Sequence, residues 1–151
     1  MLSSEPILVF LVPLRSAWSA KSWVTVCNLL ERTLRSICNQ TLPSFHVLIV
    51  CHDRPILSDQ YNNTEYVEVD YPAPKQPISV SDGDLDKARK LWTGIQYAQK
   101  FANPYLMFMD ADDCVSKNIV EFIAQQPQSN GWYISKGYQY REGSWLIQYR
   151  K

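Results

Sequence analysis

Three acidic residues stand within four positions, directly after an apolar stretch. The stretch 105–109 reads YLMFM, and Asp110, Asp112 and Asp113 follow it. Like charges repel one another and burying a carboxylate costs free energy, so the cluster needs a compensating positive charge. Mg²⁺ and Mn²⁺ prefer carboxylate oxygens and keep open positions that phosphate oxygens can fill. A turn or a helix cap would be the ordinary explanation for one aspartate, but the clustering favours metal or phosphate chemistry.

Basic residues form a second group that could bind an anion. Lys87, Arg89 and Lys90 fall in the first turns of a helix predicted over 85–101. Cations there oppose the helix dipole, which attracts anions to the N-terminal end, so a bound phosphate would offset an unfavourable arrangement. The simpler alternative is a solvent-exposed helix face on which Asp86 and Lys90 pair at i,i+4.

Apolar runs predict the strands that must carry these groups. The run 7–12, ILVFLV, is typical of a strand that is covered on both faces. Three more strands are predicted at 46–53, at 66–71 and in the run that ends at Asp110. Apolar residues at helical spacing predict a first helix, capped by Ser22, with Val26, Leu30, Leu34 and Ile37 on its buried side.

The remaining elements complete an alternating pattern. Three prolines and a glycine mark residues 72–84 as a long loop. The helix over 85–101 has a predicted apolar face that consists of Leu85, Ala88, Trp92, Ile95 and Ala98. A short helix from Ser116 and a hairpin of two strands around 142–144 follow. This order predicts a single α/β domain over 1–151, with a mostly parallel sheet and helices on both faces.

The predicted topology brings the polar segments together. In open α/β sheets, ligands bind beyond the carboxyl ends of the strands. Residues 13–15, 51–54 and 110–113 each follow a predicted strand. We therefore expect these three segments to meet at one edge of the sheet and to form the site.

Composition excludes several other classes of protein. Fifteen basic and fifteen acidic residues cancel, so we expect no broad electrostatic attraction to nucleic acid. The apolar run 7–14 is too short to span a bilayer and contains a proline, so no transmembrane segment is predicted. The four cysteines form no CxxC pair and three lie in apolar patterns, which indicates a reducing compartment. We expect a cytoplasmic protein or one that associates peripherally with a membrane.

Four segments together resemble family 2 glycosyltransferases of the GT-A fold. FLVPLR resembles the first strand and its exit, and LERTLRSICNQTLPSFHVLIVCHD is similar to the helix and second strand that follow. KARKLWTGIQYAQ resembles the donor-binding helix, and LMFMDADD matches the DxD element. The resemblance covers residues 5–125, which is the nucleotide-binding half, and implies a GT-A fold from which most of the acceptor half is truncated.

The resemblance implies a nucleoside-diphosphate sugar donor, with UDP as the expected nucleotide, and an acceptor whose class stays open: a saccharide, a lipid or a protein. Asp112 would hold a Mn²⁺ or Mg²⁺ ion that bridges the diphosphate, and Asp110 would contact the ribose or share the metal. Further donor-binding residues would be Pro13 and Arg15 under the base, Asp53 on the base, and Arg89 near the phosphates.

Departures from the family pattern leave alternatives open. His52 stands where the family has an acidic residue. Inverting members of the family take a catalytic base from well downstream, but only 38 residues follow Asp113, and Glu121 and Glu142 are poor candidates. The base is therefore expected to be absent from this chain. A nucleotide-sugar-binding module without turnover is the first alternative, and a phosphatase with Asp110 as nucleophile is a less favoured one.

Overall fold

The computed structural model describes residues 5–141 and 143–150. The regular elements of this part are a four-stranded sheet, three helices and a two-stranded hairpin that follows them. In chain order the elements are β1 (Leu8–Pro13), α1 (Trp23–Ile37), β2 (Phe45–Cys51), β3 (Thr64–Glu68), α2 (Val80–Ala98), β4 (Tyr105–Phe108), α3 (Ile119–Ala124), β5 (Gly137–Tyr140) and β6 (Ile147–Arg150).

All four strands of the main sheet are parallel, in the order β3-β2-β1-β4. β1 lies between β2 and β4, with Leu8 opposite both Phe45 and Tyr105. Every residue of β1 except Pro13 is buried, as a strand covered on both faces requires. The predicted α/β class and parallel sheet are confirmed, and the third strand begins and ends earlier than the predicted 66–71.

Helices cover both faces of the sheet, as predicted. Alternate residues of β1 point to opposite faces, so Phe10 packs among the apolar residues of α1 and α3, and Leu11 packs beneath α2. The first helix begins where Ser22 accepts a hydrogen bond from the Thr25 N–H, at 3.3 Å. Four residues predicted for its buried side have that orientation: Leu30, Leu34 and Ile37 are fully buried, and Val26 packs against them.

The start of α2 corrects the sequence prediction. The helix begins at Val80, not Leu85, because the Ser79 hydroxyl accepts a hydrogen bond from the Asp82 N–H at 3.1 Å. The predicted loop 72–84 is therefore shorter. Lys87 lies two turns inside the helix, beyond the reach of the terminal dipole. The predicted position of Lys87, Arg89 and Lys90 in the first turns of this helix is therefore wrong, and the helix dipole gives no reason to expect a phosphate beside them.

The buried face of α2 also differs from the prediction. Of the five predicted residues, Leu85, Ala88 and Trp92 are exposed, whereas Ala98 is buried and Ile95 packs against the sheet as predicted. Lys90 and Gly94 are the other buried residues of the helix. Gly94 lets the helix approach the sheet closely, because a methyl group there would lie 3.2 Å from carbons of Leu11 and Val50. The helix is thus rotated so that a lysine, rather than a tryptophan, faces the sheet.

The C-terminal hairpin is confirmed, with β5 and β6 antiparallel in a separate sheet. The short helix begins at Ile119 rather than Ser116. Among the helices in residues 5–141 and 143–150, none has both the length and the apolar content needed to cross a bilayer.

Candidate functional site

The exits of β1 and β2 are joined at the carboxyl edge of the sheet. Pro13 pairs with Val50 as the last residue of β1, and the Leu14 N–H donates to the Val50 carbonyl at 2.9 Å. Just beyond, the carboxylate of Asp53 accepts a hydrogen bond from the Ala17 N–H at 2.8 Å. Asp53 therefore fixes the loop after β1 against the loop after β2, a contact that the sequence did not predict.

The acidic residues form a turn at the same edge. The Met109 N–H donates to the Leu11 carbonyl at 3.0 Å, so β4 stays paired with β1 up to the start of the turn. The Asp113 N–H then donates to the Asp110 carbonyl at 3.1 Å, which closes the turn. Asp112 and Asp113 are exposed. None of the three caps a helix, because α3 begins only at Ile119.

A lysine of α2 faces this acidic turn. Lys87 Nζ lies 2.5 Å from Asp110 Oδ1, and both side chains are about half-exposed. Partial desolvation, together with the negative charges of Asp112 and Asp110, raises the pKa of Asp113, and the charge of Lys87 opposes that rise. The positive charge that the carboxylate cluster requires is thus supplied in part by the protein itself.

A buried ion pair fixes α2 to the exit of β1. Lys90 is 1% exposed, and its Nζ donates to the Leu14 carbonyl at 2.7 Å and to Asp86 Oδ2 at 2.6 Å. Asp86 Oδ1 lies 3.8 Å from Nε2 of His52 at the exit of β2. The i,i+4 spacing predicted the Asp86–Lys90 pair, but on a solvent-exposed face. Its burial could not be predicted, because the third partner is a backbone carbonyl, which leaves no signal in the sequence.

The contacts of Arg89 differ from those of Lys87. Its guanidinium carbon is 5.8 Å from the centre of the Tyr71 ring. It also lines a cavity of about 270 Å³ between α2 and the segment that follows β3, together with Asp86, Pro72 and Lys75. Arg15 is exposed in the loop after β1. Lys87, which the sequence indicated only as part of a helix start, contacts the acidic turn.

The acidic turn has the right ligand chemistry for a hard divalent cation but few ligands. In the part of the chain that the structure describes, no group of three or more His, Cys, Asp or Glu side chains could hold a metal ion. Asp110 and Asp112 would therefore supply at most two carboxylates, and phosphate or water oxygens would have to complete the coordination. Mg²⁺ and Mn²⁺ fit such a shared site, because they usually retain waters and substrate oxygens.

The one described carboxylate downstream of the acidic turn is at the opposite edge of the sheet. Glu121 accepts a hydrogen bond from the Thr41 hydroxyl at 2.8 Å, and Thr41 lies in the segment that enters β2. Glu142 lies outside the described residues. No family model matches the chain, and neither does any curated protein or solved structure.

Proposed function

We propose that this chain binds a nucleoside diphosphate, as part of a sugar donor, at the carboxyl edge of the sheet. The observation that carries the proposal is the acidic turn 110–113 beside the exits of β1 and β2, with Lys87 against Asp110. Ligands of parallel α/β sheets bind at this edge. The arrangement offers carboxylates for a shared cation and basic side chains for phosphates, which is the pair of features that a diphosphate requires.

Each residue has a distinct part in this proposal. Asp112, exposed and without the ion pair that Asp110 makes, is the first ligand for Mn²⁺ or Mg²⁺, and Asp110 joins it when Lys87 turns to the phosphates. Pro13 and Arg15 contact the base, and Asp53 holds their loop in place through the Ala17 N–H. Arg89 borders the cavity beside Tyr71. A divalent cation bound at the turn supplies Lewis-acid stabilisation of a leaving diphosphate.

We infer glycosyl transfer from a UDP-sugar as the function that this site supports best. Donor binding and turnover are separate questions for this chain, because turnover also needs a catalytic base. Glu121, the described carboxylate downstream of the acidic turn, lies at the opposite edge of the sheet from that turn. That position is the observation behind the second candidate, a nucleotide-sugar-binding module without turnover. Release of UDP from UDP-sugars in the presence of Mn²⁺ distinguishes the two: the enzyme releases UDP catalytically, and the module binds UDP without releasing product.

Isothermal titration of the protein with UDP, with and without Mn²⁺, tests the site. We expect binding that requires the metal, and the Asp112→Asn variant should weaken it by roughly tenfold or more, since loss of a metal ligand costs at least as much as loss of its support. The binding of UDP should disappear from the titration when a chelator removes the Mn²⁺.

The matched control is Asp59→Asn, which removes one carboxylate at a distance from the site. Asp59 pairs with Arg35 in the last turn of α1, at 3.0 Å. This variant should bind UDP and Mn²⁺ as the parent does. Equal affinity of the parent and Asp112→Asn for UDP with Mn²⁺ would show that the acidic turn is not the site.

A further inference from the structure

The C-terminal hairpin stands apart from the core in composition and exposure. Its two strands form their own sheet, and all eight strand residues are exposed. An isolated two-stranded hairpin is marginally stable in water. Residues 125–136, which connect it to α3, contain no helix or strand. The hairpin therefore presents side chains that the rest of the described chain does not cover.

Strand register divides these side chains between an apolar face and a polar face. Tyr138 lies opposite Tyr149, with ring centres 5.5 Å apart, and Tyr140 lies opposite Ile147, so that all four share one face. The other face has Gln139 opposite Gln148. We call the described part of the hairpin and its turn, residues 137–141 and 143–150, the aromatic hairpin.

The turn of the aromatic hairpin extends the apolar face. Trp145 is 90% exposed and Leu146 is 61% exposed, directly before Ile147 at the start of β6. Trp145 and Leu146 lie at the turn end of the hairpin and form an apolar tip. The apolar surface consists of this tip and the strand face that carries the tyrosines. Such a convex shape needs either a matching groove in a protein or a medium that closes around it.

The charge of this segment differs from that of the whole chain. Residues 132–151 contain four basic residues and one acidic residue, a net charge of +3, although the whole chain has a net charge of zero. On the polar face, the Arg150 guanidinium donates two hydrogen bonds to Gln139 Oε1, at 3.0 and 2.8 Å. Lys136 and Arg141 flank β5. Arg141 therefore lies beside the apolar tip, and Lys136 and Arg150 lie at the other end of the hairpin, next to its apolar face.

We propose that the aromatic hairpin docks on an anionic lipid surface, with Trp145 and Leu146 inserted below the headgroups. Tyrosine and tryptophan are favoured at membrane interfaces, because each has an apolar body and a polar group that stays in contact with water. Basic side chains beside an apolar face add attraction to anionic headgroups. A lipid interface accepts a convex apolar tip without a preformed groove, which favours it over a protein partner.

Sedimentation of the whole chain with lipid vesicles tests the proposal. We expect binding to phosphatidylcholine vesicles that contain phosphatidylserine, and weaker binding to phosphatidylcholine alone. The ratio should be on the order of a hundredfold at low salt, because each net basic charge near an anionic surface contributes roughly fivefold. Added salt should reduce the binding to the anionic vesicles.

Paired variants separate the tip from the charges. The double variant Trp145→Ser, Leu146→Ser should lose vesicle binding. Arg141→Gln with Arg150→Gln should reduce only the preference for anionic lipid, by about 25-fold for two charges at roughly fivefold each. Trp92→Ser is the matched control, because Trp92 is an exposed tryptophan on α2, outside the hairpin. It should bind vesicles as the parent does. Circular dichroism and thermal melting of each variant verify that the core is still folded.

Three results would overturn the proposal. They are absence of binding to either vesicle, equal binding by the parent and the tip variant, and a self-association of the parent that the tip variant abolishes. The last result, seen by analytical ultracentrifugation without lipid, would assign the hairpin to a second copy of the chain. The proposal does not depend on nucleotide binding, and Asp112→Asn should bind vesicles normally even if UDP binding fails.

Discussion

At the scale of single residues, the acidic turn contains three carboxylates that repel one another, and the positive charge of Lys87 offsets part of that repulsion. Asp113 has a raised pKa because of partial desolvation and the neighbouring charges of Asp112 and Asp110, and the charge of Lys87 opposes that rise. Two substitutions should therefore move this pKa in opposite directions. Asp110→Asn removes a negative neighbour and should lower the pKa of Asp113, and Lys87→Gln removes the positive one and should raise it.

An NMR titration of the Asp113 carboxyl carbon measures both changes. The effect on stability is expected to be small, because ion pairs that are half-exposed contribute no more than about 1 kcal/mol. If both variants left the pKa unchanged, Lys87 and Asp110 would not face Asp113 as the structure has them.

At the scale of elements, the packing of α2 depends on one glycine. Gly94 is buried against Leu11 and Val50, whereas nothing lies within 4 Å of a methyl group at Gly83 on the same helix. Gly94→Val should destabilise the protein by about 2 kcal/mol through overpacking. Gly83→Ala should stabilise it by about 0.5–1 kcal/mol, because alanine loses less conformational freedom in a helix. Urea unfolding midpoints compare the two, and equal shifts of the same sign would refute the packing described for α2.

The sequence predicted most elements, because local patterns determine them. The apolar run of β1 and the cap at Ser22 needed no tertiary information. The early start of α2 had a signal, since Ser79 followed by Asp82 resembles a capping box, but the nearby prolines and Gly83 favoured a loop. The orientation of that helix could not be predicted, because burial of Lys90 depends on the distant Leu14 carbonyl.

At the scale of the whole molecule, one buried group of polar residues connects the exits of β1 and β2 to α2. His52 lies 3.8 Å from Asp86, which binds Lys90. Burial lowers the pKa of His52, and the nearby charge of Lys90 lowers it further. The folded state therefore resists protonation of His52 more than the unfolded state does.

Stability should consequently fall as the pH is lowered through about 6.5, where an unfolded histidine begins to bind a proton. His52→Gln should make the melting temperature less dependent on pH between about 7 and 5.5, a range above the titration of most carboxylates. Burial also lowers the pKa of His46, so His46→Gln should remove a separate part of the slope. An unchanged slope in His52→Gln would contradict the burial of that ring.

The position of β4 beside β1 also affects how the chain is made. Leu8 pairs with Phe45 early in the chain but with Tyr105 only after most of the chain has followed. During synthesis on the ribosome, one edge of β1 stays unpaired until β4 emerges. Unpaired strand edges of this kind invite aggregation. Newly made chains are therefore most exposed to misassembly before the acidic turn exists, and a chaperone that shields the first strand would act in that interval.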